Sequence, residues 1–328
     1  MERAVKTLRS QEKKILRSQE KIPPGRSQFC LDDRGAYEDW REAKLAAYPK
    51  RREDFVVEVG DLGATTPAER DAISRLARSA NMAVYVTKSN LDDERATRRA
   101  LVVFGHAFGL AAVEDHRSAE ADGIVRIEVV DQGGRLGYIP YTDRPINWHT
   151  DGYYDYHGAE RSVRAMLLHC MRPAGQGGVN RLLDPEIAYV RLRDSDPRLI
   201  EALMHPEAMT IPESVETNGR VRPENAGPVF FVDARGALGM RFTARKRNVV
   251  WRDDPTTRAA VVRLEAVLAE DPLVLETRME AGQGLICNNV LHDRTGFASS
   301  GETGRGRLVF RIRYADRIDA GVAPLPGP

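Results

Sequence analysis

The apolar positions of this chain follow two periods, and the change from one to the other divides it. Thr66-Pro67-Ala68-Glu69 opens a helix, with Thr66 as N-cap, Pro67 at the first helical position and Glu69 closing a capping box. Ile73, Leu76 and Ala80 then keep one apolar face as far as Asn81, a plausible stop. Met82 to Val86 reads as a strand, and Asp92 to Leu110 as a second helix with Leu101, Phe104 and Phe108 inward. From Ile124 short strand patterns take over: Ile124–Val130, Met166–Cys170, Val229–Asp233, Gly239–Phe242, Leu273–Met279, Leu285–Asn288 and Leu308–Tyr314. Asp233-Ala234-Arg235-Gly236 reads as a hairpin turn, and helices interrupt the series at Pro185–Leu192, Pro197–Met204 and Asp254–Ala269. The order predicts an α+β fold with a mainly β core, a double-sheet jelly roll with a helical N-terminal region and helical insertions. A doubly wound parallel sheet binding phosphate would need G-x-G-x-x-G or G-x-x-x-x-G-K-S/T, and neither is present.

Composition narrows the function classes. A chain of 328 residues fits one large domain with an appendage. The first twenty-one residues hold seven Lys/Arg and three Glu, about +4, and end at the breaker Ile22-Pro23-Pro24-Gly25. Residues 1–28 therefore read as a basic arm, helical or disordered, and 29–328 as a single domain. The arm could meet a polyanion or be an extension outside the chemistry. The net charge of +1 argues against a global attraction to nucleic acid or to an anionic membrane. Cys30, Cys170 and Cys287 are too scattered for a disulfide framework or a zinc motif, which points to a reducing cytoplasm. With no long apolar run and no apolar stretch behind the basic N-terminus, neither a membrane span nor a secretion signal is expected.

The chemistry lies in three segments. In Pro145-Ile146-Asn147-Trp148-His149-Thr150-Asp151-Gly152-Tyr153-Tyr154 an extended backbone would send His149 and Asp151 to the same face, where both could grip one cation. His292, 143 residues further on in Asn288-Asn289-Val290-Leu291-His292-Asp293-Arg294-Thr295-Gly296-Phe297, supplies a second imidazole at the end of an apolar strand. Two histidines and a carboxylate make the facial triad of non-haem Fe(II). Arg307, Arg311 and Arg313 share one parity of the last strand, and an arginine fork suits a dicarboxylate co-substrate. The competing reading is an edge strand guarded against aggregation. Tyr153 and Tyr154 could line a substrate pocket or simply pack. His106 and His169 read as structural histidines, Cys170 and Cys287 as small buried hydrophobes, and Asp233, Arg235, Arg241, Arg245, Lys246 and Arg247 as a solvated charged stretch.

His149-x-Asp151, then His292 in an L-H-D-R-T-G-F context, then Arg307 fifteen residues later, resembles the taurine dioxygenase-like family of Fe(II)- and 2-oxoglutarate-dependent oxygenases. Gly177-Gly178 followed by Leu183-Asp184 and a helix is similar too, and the likeness covers about residues 120–316. The resemblance implies a double-stranded β-helix core, iron on His149, Asp151 and His292, and 2-oxoglutarate held by Arg307. Arg311 matches a position that contacts an anionic substrate in some members. Where the family often has Thr two residues after the Gly-Gly pair, this chain has Asn180, whose amide can donate instead. The implied activity, with O2, is hydroxylation or desaturation of a small polar, anionic metabolite, with release of succinate and CO2; Arg311 and Arg313 suggest the acidic group. Alternatives are a non-catalytic metal- and dicarboxylate-binding regulatory protein on the same barrel, or a nucleic-acid modifying oxygenase recruited by the basic arm. Homo-oligomerisation is left open.

Overall fold

The computed structural model describes residues 27–89, 92–114, 119–133, 138–215, 219, 221–298 and 306–318. Nearly all of the basic arm lies outside the described residues. The chain forms two compact units, residues 1–46 and 47–328. The described part of the first is mainly the helix Arg34–Ala47, which the sequence reading did not anticipate; Asp33 caps it, its carboxylate accepting from the Ala36 N–H at 3.0 Å.

In the second unit β1 (Val56–Glu58) and β2 (Met82–Val86) run parallel, joined through the helix Pro67–Ala80. That helix begins with the capping box its sequence predicts and ends at Asn81 in the left-handed region, φ 55°. The next helix, Glu94–His106, is shorter than its apolar pattern because Asp93 caps it on the Ala96 N–H. Next come β3 (Val125–Ile127), β4 (Ile146–His149), β5 (Ala165–Arg172), β6 (Gln176–Gly177) and β7 (Asn180–Leu183). Helices Pro185–Ser195 and Pro197–Met204 follow, each started by an Asp cap and a proline. A run of short strands comes next: β8 (Met209–Ile211), β9 (Ser214–Val215), β10 (Val221–Arg222), β11 (Asn225–Gly227), β12 (Phe230–Val232), β13 (Leu238–Met240) and β14 (Val250–Trp251). The helix Pro255–Glu270 leads to β15 (Leu275–Thr277), β16 (Gln283–Cys287), β17 (Leu291–Arg294), β18 (Phe297–Ala298) and β19 (Leu308–Tyr314).

Two larger sheets organise these elements. One has the order β1-β2-β16-β5-β19-β3 and is antiparallel except for β1 with β2; the other has the order β15-β7-β17-β4. The period of two in β19 decides what lies on each side. Leu308, Phe310, Ile312 and Tyr314 join Leu101, Phe104, Leu167 and Ile286 in the main apolar cluster beneath the helices. Burying one such side chain fully contributes roughly 1.5–3 kcal/mol, so this face fixes the register of the strand. The opposite parity, Arg307, Val309 and Arg311, faces a cavity lined by both sheets: Ile127, Met166 and Leu168 from the first, Ile146, His149, Asn180, His292 and Arg294 from the second.

Several sequence expectations need adjusting. The strand begun at Val125 stops at Ile127, where Val129 is already 43% exposed. His292 does not end the apolar strand: Asn289 at φ 48° breaks the chain, and His292 lies inside the next strand, β17. His106 is exposed at its helix end, whereas His169 is buried against Tyr85, whose hydroxyl lies 3.1 Å from His169 Nδ1. Arg241, read as part of a solvated stretch, is 2% exposed and ties three segments together by donating to the carbonyls of Tyr153, Met209 and Asn225.

Candidate metal centre and active site

The sequence-predicted triad converges. His149 and His292 are register partners on β4 and β17, and their ring centroids lie 4.2 Å apart. Asp151 sits just past the end of β4, its Oδ1 at 3.9 Å from His149 Nε2. One ligand atom from each of the three lies within 4.8 Å of the others. The backbone of Asp151 is pinned by Asn289, whose Oδ1 accepts from the Asp151 N–H at 2.8 Å and whose amide donates to the Asp151 carbonyl at 3.0 Å. Sequence reasoning missed this role; the Asn-Asn pair after a strand, a frequent left-handed turn, was the available signal.

Hydrogen bonding fixes the imidazoles for metal. His149 Nδ1 lies 2.9 Å from the Asn147 carbonyl and His292 Nδ1 2.9 Å from the Val290 carbonyl. A carbonyl only accepts, so each Nδ1 carries the proton and each Nε2 keeps a lone pair. Burial and the neighbouring His292 push His149 down to about 3, which keeps it neutral and able to ligate. Burial alone would raise the Asp151 carboxyl, but Arg311, then Arg313 and the two histidines, hold it well below the ordinary range. Asp151 Oδ2 is buried without a hydrogen-bond partner, while Oδ1 accepts from Arg311 at 3.1 Å. A buried carboxylate with one oxygen free of hydrogen bonds, clustered within 4.8 Å of two imidazoles whose Nε2 lone pairs are free, fits a divalent cation, and the two-His-one-carboxylate donor set suits Fe(II).

The arginine strand divides its labour differently from the sequence expectation. Arg307 is 6% exposed, and no carboxylate pairs with it among the described residues; its guanidinium lies 5.2 Å from the Phe297 ring. Burial lowers its pKa, opposed only by Cys170. Beside it stands Arg294, to which the sequence reading gave no role, 4.7 Å from the same ring. Arg294 donates to the carbonyls of Thr142 and Arg144, keeps a buried Nε without partner, and is pushed down to about 9 by burial and by Arg307. Two adjacent buried guanidiniums short of an anion make a cationic end to the cavity. Asn180 lines it, its amide 3.4 Å from the Gly178 carbonyl. Arg311 bonds Asp151 through Nη1 while its buried Nε has no partner and the residue lines the cavity, whereas Arg313 is occupied by Glu114 and by the Tyr154 hydroxyl at 3.2 Å. Tyr153 is buried with its ring 6.2 Å from His149 and edge-on to it, whereas the Tyr154 hydroxyl is engaged with Arg313.

Comparison with known proteins agrees with this geometry. The family described as "Taurine catabolism dioxygenase TauD, TfdA family" matches residues 51–313. A curated uridine-5'-phosphate dioxygenase from Amycolatopsis sp is 31% identical over 150 residues, 43% of this chain and 50% of the relative. A second, from Streptomyces sp, is 29% identical over 194 residues, 57% of this chain and 68% of the relative. The matched segment thus spans half the length of the first of these. Among solved structures, asparagine oxygenase with Fe(II), 2S,3S-3-hydroxyasparagine and succinate has a TM-score of 0.57 at 15% identity, over 77% of this chain and 81% of that one. The non-heme iron oxygenase OrfP with Fe, succinate and (3R,4R)-dihydroxy-L-Arg also has a TM-score of 0.57, at 17% identity, over 85% and 92%. These two share the fold.

Proposed function

This chain belongs to the TauD, TfdA family of dioxygenases, and we propose that His149, Asp151 and His292 hold its iron and Arg307 its 2-oxoglutarate. It is an Fe(II)/2-oxoglutarate-dependent dioxygenase. The reading of the site rests above all on one observation: one ligand atom each of His149, Asp151 and His292 lie within 4.8 Å of one another, and both histidines have their Nδ1 protons committed to carbonyls. On this reading the two main sheets, both in the unit 47–328, are the walls of a double-stranded β-helix, and the cavity between the sheets is the active site.

Fe(II), with 2-oxoglutarate and O2, supplies oxidative decarboxylation to succinate and CO2 together with the oxidising equivalent for the substrate. The chain's residues bind and orient. Arg307, with Arg294 beside it, receives the distal carboxylate of 2-oxoglutarate as a planar fork at the buried end of the cavity, and Asn180 borders that end. Arg311 donates to Asp151 Oδ1 and so fixes the orientation of the carboxylate that would hold the metal. Arg313 and Glu114 fix Tyr154. Ile127, Met166, Leu168 and Val309 give the cavity apolar walls that exclude water from the reacting centre.

The substrate is a small anionic molecule. Supporting this, cationic side chains near the metal face outnumber their carboxylate partners, and the curated relatives are named for a nucleoside monophosphate. No helix among the described residues is long and apolar enough to cross a membrane. The test is anaerobic addition of Fe(II) and 2-oxoglutarate while watching for the weak visible band of the chelate, with iron stoichiometry measured in parallel. Wild type should show the band, and His149→Ala and His292→Ala should lose both band and iron while remaining folded. Full iron content in both variants refutes the ligand assignment.

A further inference from the structure

Resting on the reading of Arg307 as the co-substrate residue, we propose that Phe297 is a positioning residue whose ring holds the Arg307 guanidinium ready for the distal carboxylate of 2-oxoglutarate. Arg307 and Arg294 both line the cavity, whereas Phe297, 9% exposed, does not. The two arginines are restrained in different ways. Arg294 is tied through Nη2 to the carbonyls of Thr142 and Arg144 at 2.8 and 2.6 Å. Arg307 stands one residue before β19, and among the described residues no hydrogen-bond acceptor engages its guanidinium. The nearby Asn180 amide donates to the Gly178 carbonyl instead, at 3.4 Å. What does meet Arg307 is the Phe297 ring, whose centroid lies 5.2 Å from the guanidinium carbon; the Arg294 carbon lies over the same ring at 4.7 Å. Both distances fall within the ~6 Å over which the negative face of a phenyl ring attracts a cation. A carbonyl would fix the Arg307 fork as well but would consume a donor, whereas a π face fixes it and leaves every N–H for a ligand. The shared ring also offsets part of the repulsion between the two guanidiniums.

The ring is in turn set by backbone from two other segments. Phe297 N–H donates to the Asp143 carbonyl at 3.0 Å, and within β18 Phe297 pairs with Gly177 of β6. Gly178 N–H donates to the Gly296 carbonyl and Gly175 N–H to the Ala298 carbonyl, each at 3.2 Å. This approach requires glycine: Gly177 has φ 71°, and a Cβ there would collide with the Gly296 carbonyl oxygen. A Cβ on Gly178 would lie 3.6 Å from Phe297 Cβ and 3.8 Å from Arg307 Nε, so the Gly-Gly pair, the phenyl ring and the arginine pack as one unit. The short run from His292 to Phe297 thus carries a metal ligand at one end and the platform for the co-substrate arginine at the other. An arginine already stacked gives up little rotamer freedom when the carboxylate arrives, which is preorganisation supplied by a residue outside the cavity.

The test is calorimetric titration of the full chain, loaded with Mn(II), with 2-oxoglutarate and with 2-oxobutyrate, which has the same oxo-acid end and no distal carboxylate. Phe297→Leu should weaken 2-oxoglutarate about tenfold, the scale of a desolvated cation–π contact, and leave 2-oxobutyrate and Mn(II) affinity within about threefold of wild type. In an Arg307→Met background the same substitution should change 2-oxoglutarate affinity by less than about threefold, since the group it positions is gone. Pentafluorophenylalanine at position 297 keeps the shape of the ring and inverts its quadrupole, so it should weaken 2-oxoglutarate about tenfold as well; Phe297→Tyr, which keeps the π face, should stay within about threefold of wild type. The fluorinated protein carries the test if the leucine variant fails to hold Mn(II). Wild-type 2-oxoglutarate affinity in either protein, or an equal loss for 2-oxobutyrate or in the Arg307→Met background, overturns the assignment. Wild-type affinity in Arg307→Met alone would instead refute the reading of Arg307, so the two failures are separate.

Discussion

Replacing Arg307 by Met should cost co-substrate affinity and not stability, a combination that a structural arginine would not give. Arg307 is 6% exposed, has no carboxylate partner among the described residues, and shares the Phe297 ring with Arg294. On the proposed reading, deleting the fork would remove two charge-assisted hydrogen bonds to the distal carboxylate of 2-oxoglutarate. At ~1.5–3 kcal/mol for each, and with Arg294 retaining part of the attraction, the net loss is about 3 kcal/mol, or roughly a hundredfold in Kd. The ligand-free protein should behave differently. Arg307→Met leaves no buried acid exposed to loss, relieves the repulsion with Arg294, and keeps an unbranched side chain against Phe297, so its stability should fall by less than ~1 kcal/mol or rise. Urea unfolding of ligand-free protein measures the second quantity and the anaerobic chelate band the first. At 2-oxoglutarate a hundredfold above the wild-type Kd, wild type should gain about 2.7 kcal/mol and the variant almost nothing. The reasoning is refuted if Kd stays within threefold of wild type, or if the ligand-free variant loses 3 kcal/mol or more, since the guanidinium would then be holding the fold.

Arg311→Met breaks a pair whose side chains are 9% and 5% exposed, so the metal-free protein should lose about 3 kcal/mol in urea unfolding; a loss under 1 kcal/mol would show that Asp151 does not depend on it. His169 is pushed down to about 4 by burial, against about 6.5 when unfolded, so between those values the unfolded chain binds the extra proton. That contribution to stability is complete above pH 6.5 and lost as pH falls towards 4, in total about 3 kcal/mol. His169→Gln should flatten stability against pH in that window, and parallel profiles for the two proteins would refute it. Gly284→Ala would drive a methyl group into the Tyr85 ring and the Leu168 carbonyl where β16 meets β5, costing ~3 kcal/mol or the fold itself. A melting temperature near wild type would mean the sheet yields more than its packing implies.

The sequence by itself determined the elements whose signals are local. Thr66, Asp184, Asp196 and Asp254 each precede a proline, and each starts a helix where cap chemistry says it should. The Asp233–Gly236 turn joins β12 to β13 as its residues require. That His149, Asp151 and His292 would come together was legible because a facial triad needs specific residue types; for Arg307 the sequence offered only its parity on the last strand, and its burial without a carboxylate partner among the described residues came from the tertiary structure. The short strands β8 to β11 were not legible, since two or three residues carry too little periodicity. Tertiary structure alone decided what each arginine does. Parity put Arg307 and Arg311 on one face of β19, but whether a guanidinium is spent depends on Asp151, Glu114 and Tyr154, brought beside it from distant parts of the chain. Arg241 and Arg245 lie four residues apart in a stretch that reads as uniformly polar. One is buried among backbone carbonyls and the other stands over Tyr153, because Thr243 between them bridges the edge of β4. A charge declares its presence in the sequence, but its partner is set by long-range strand pairing, which no local pattern encodes.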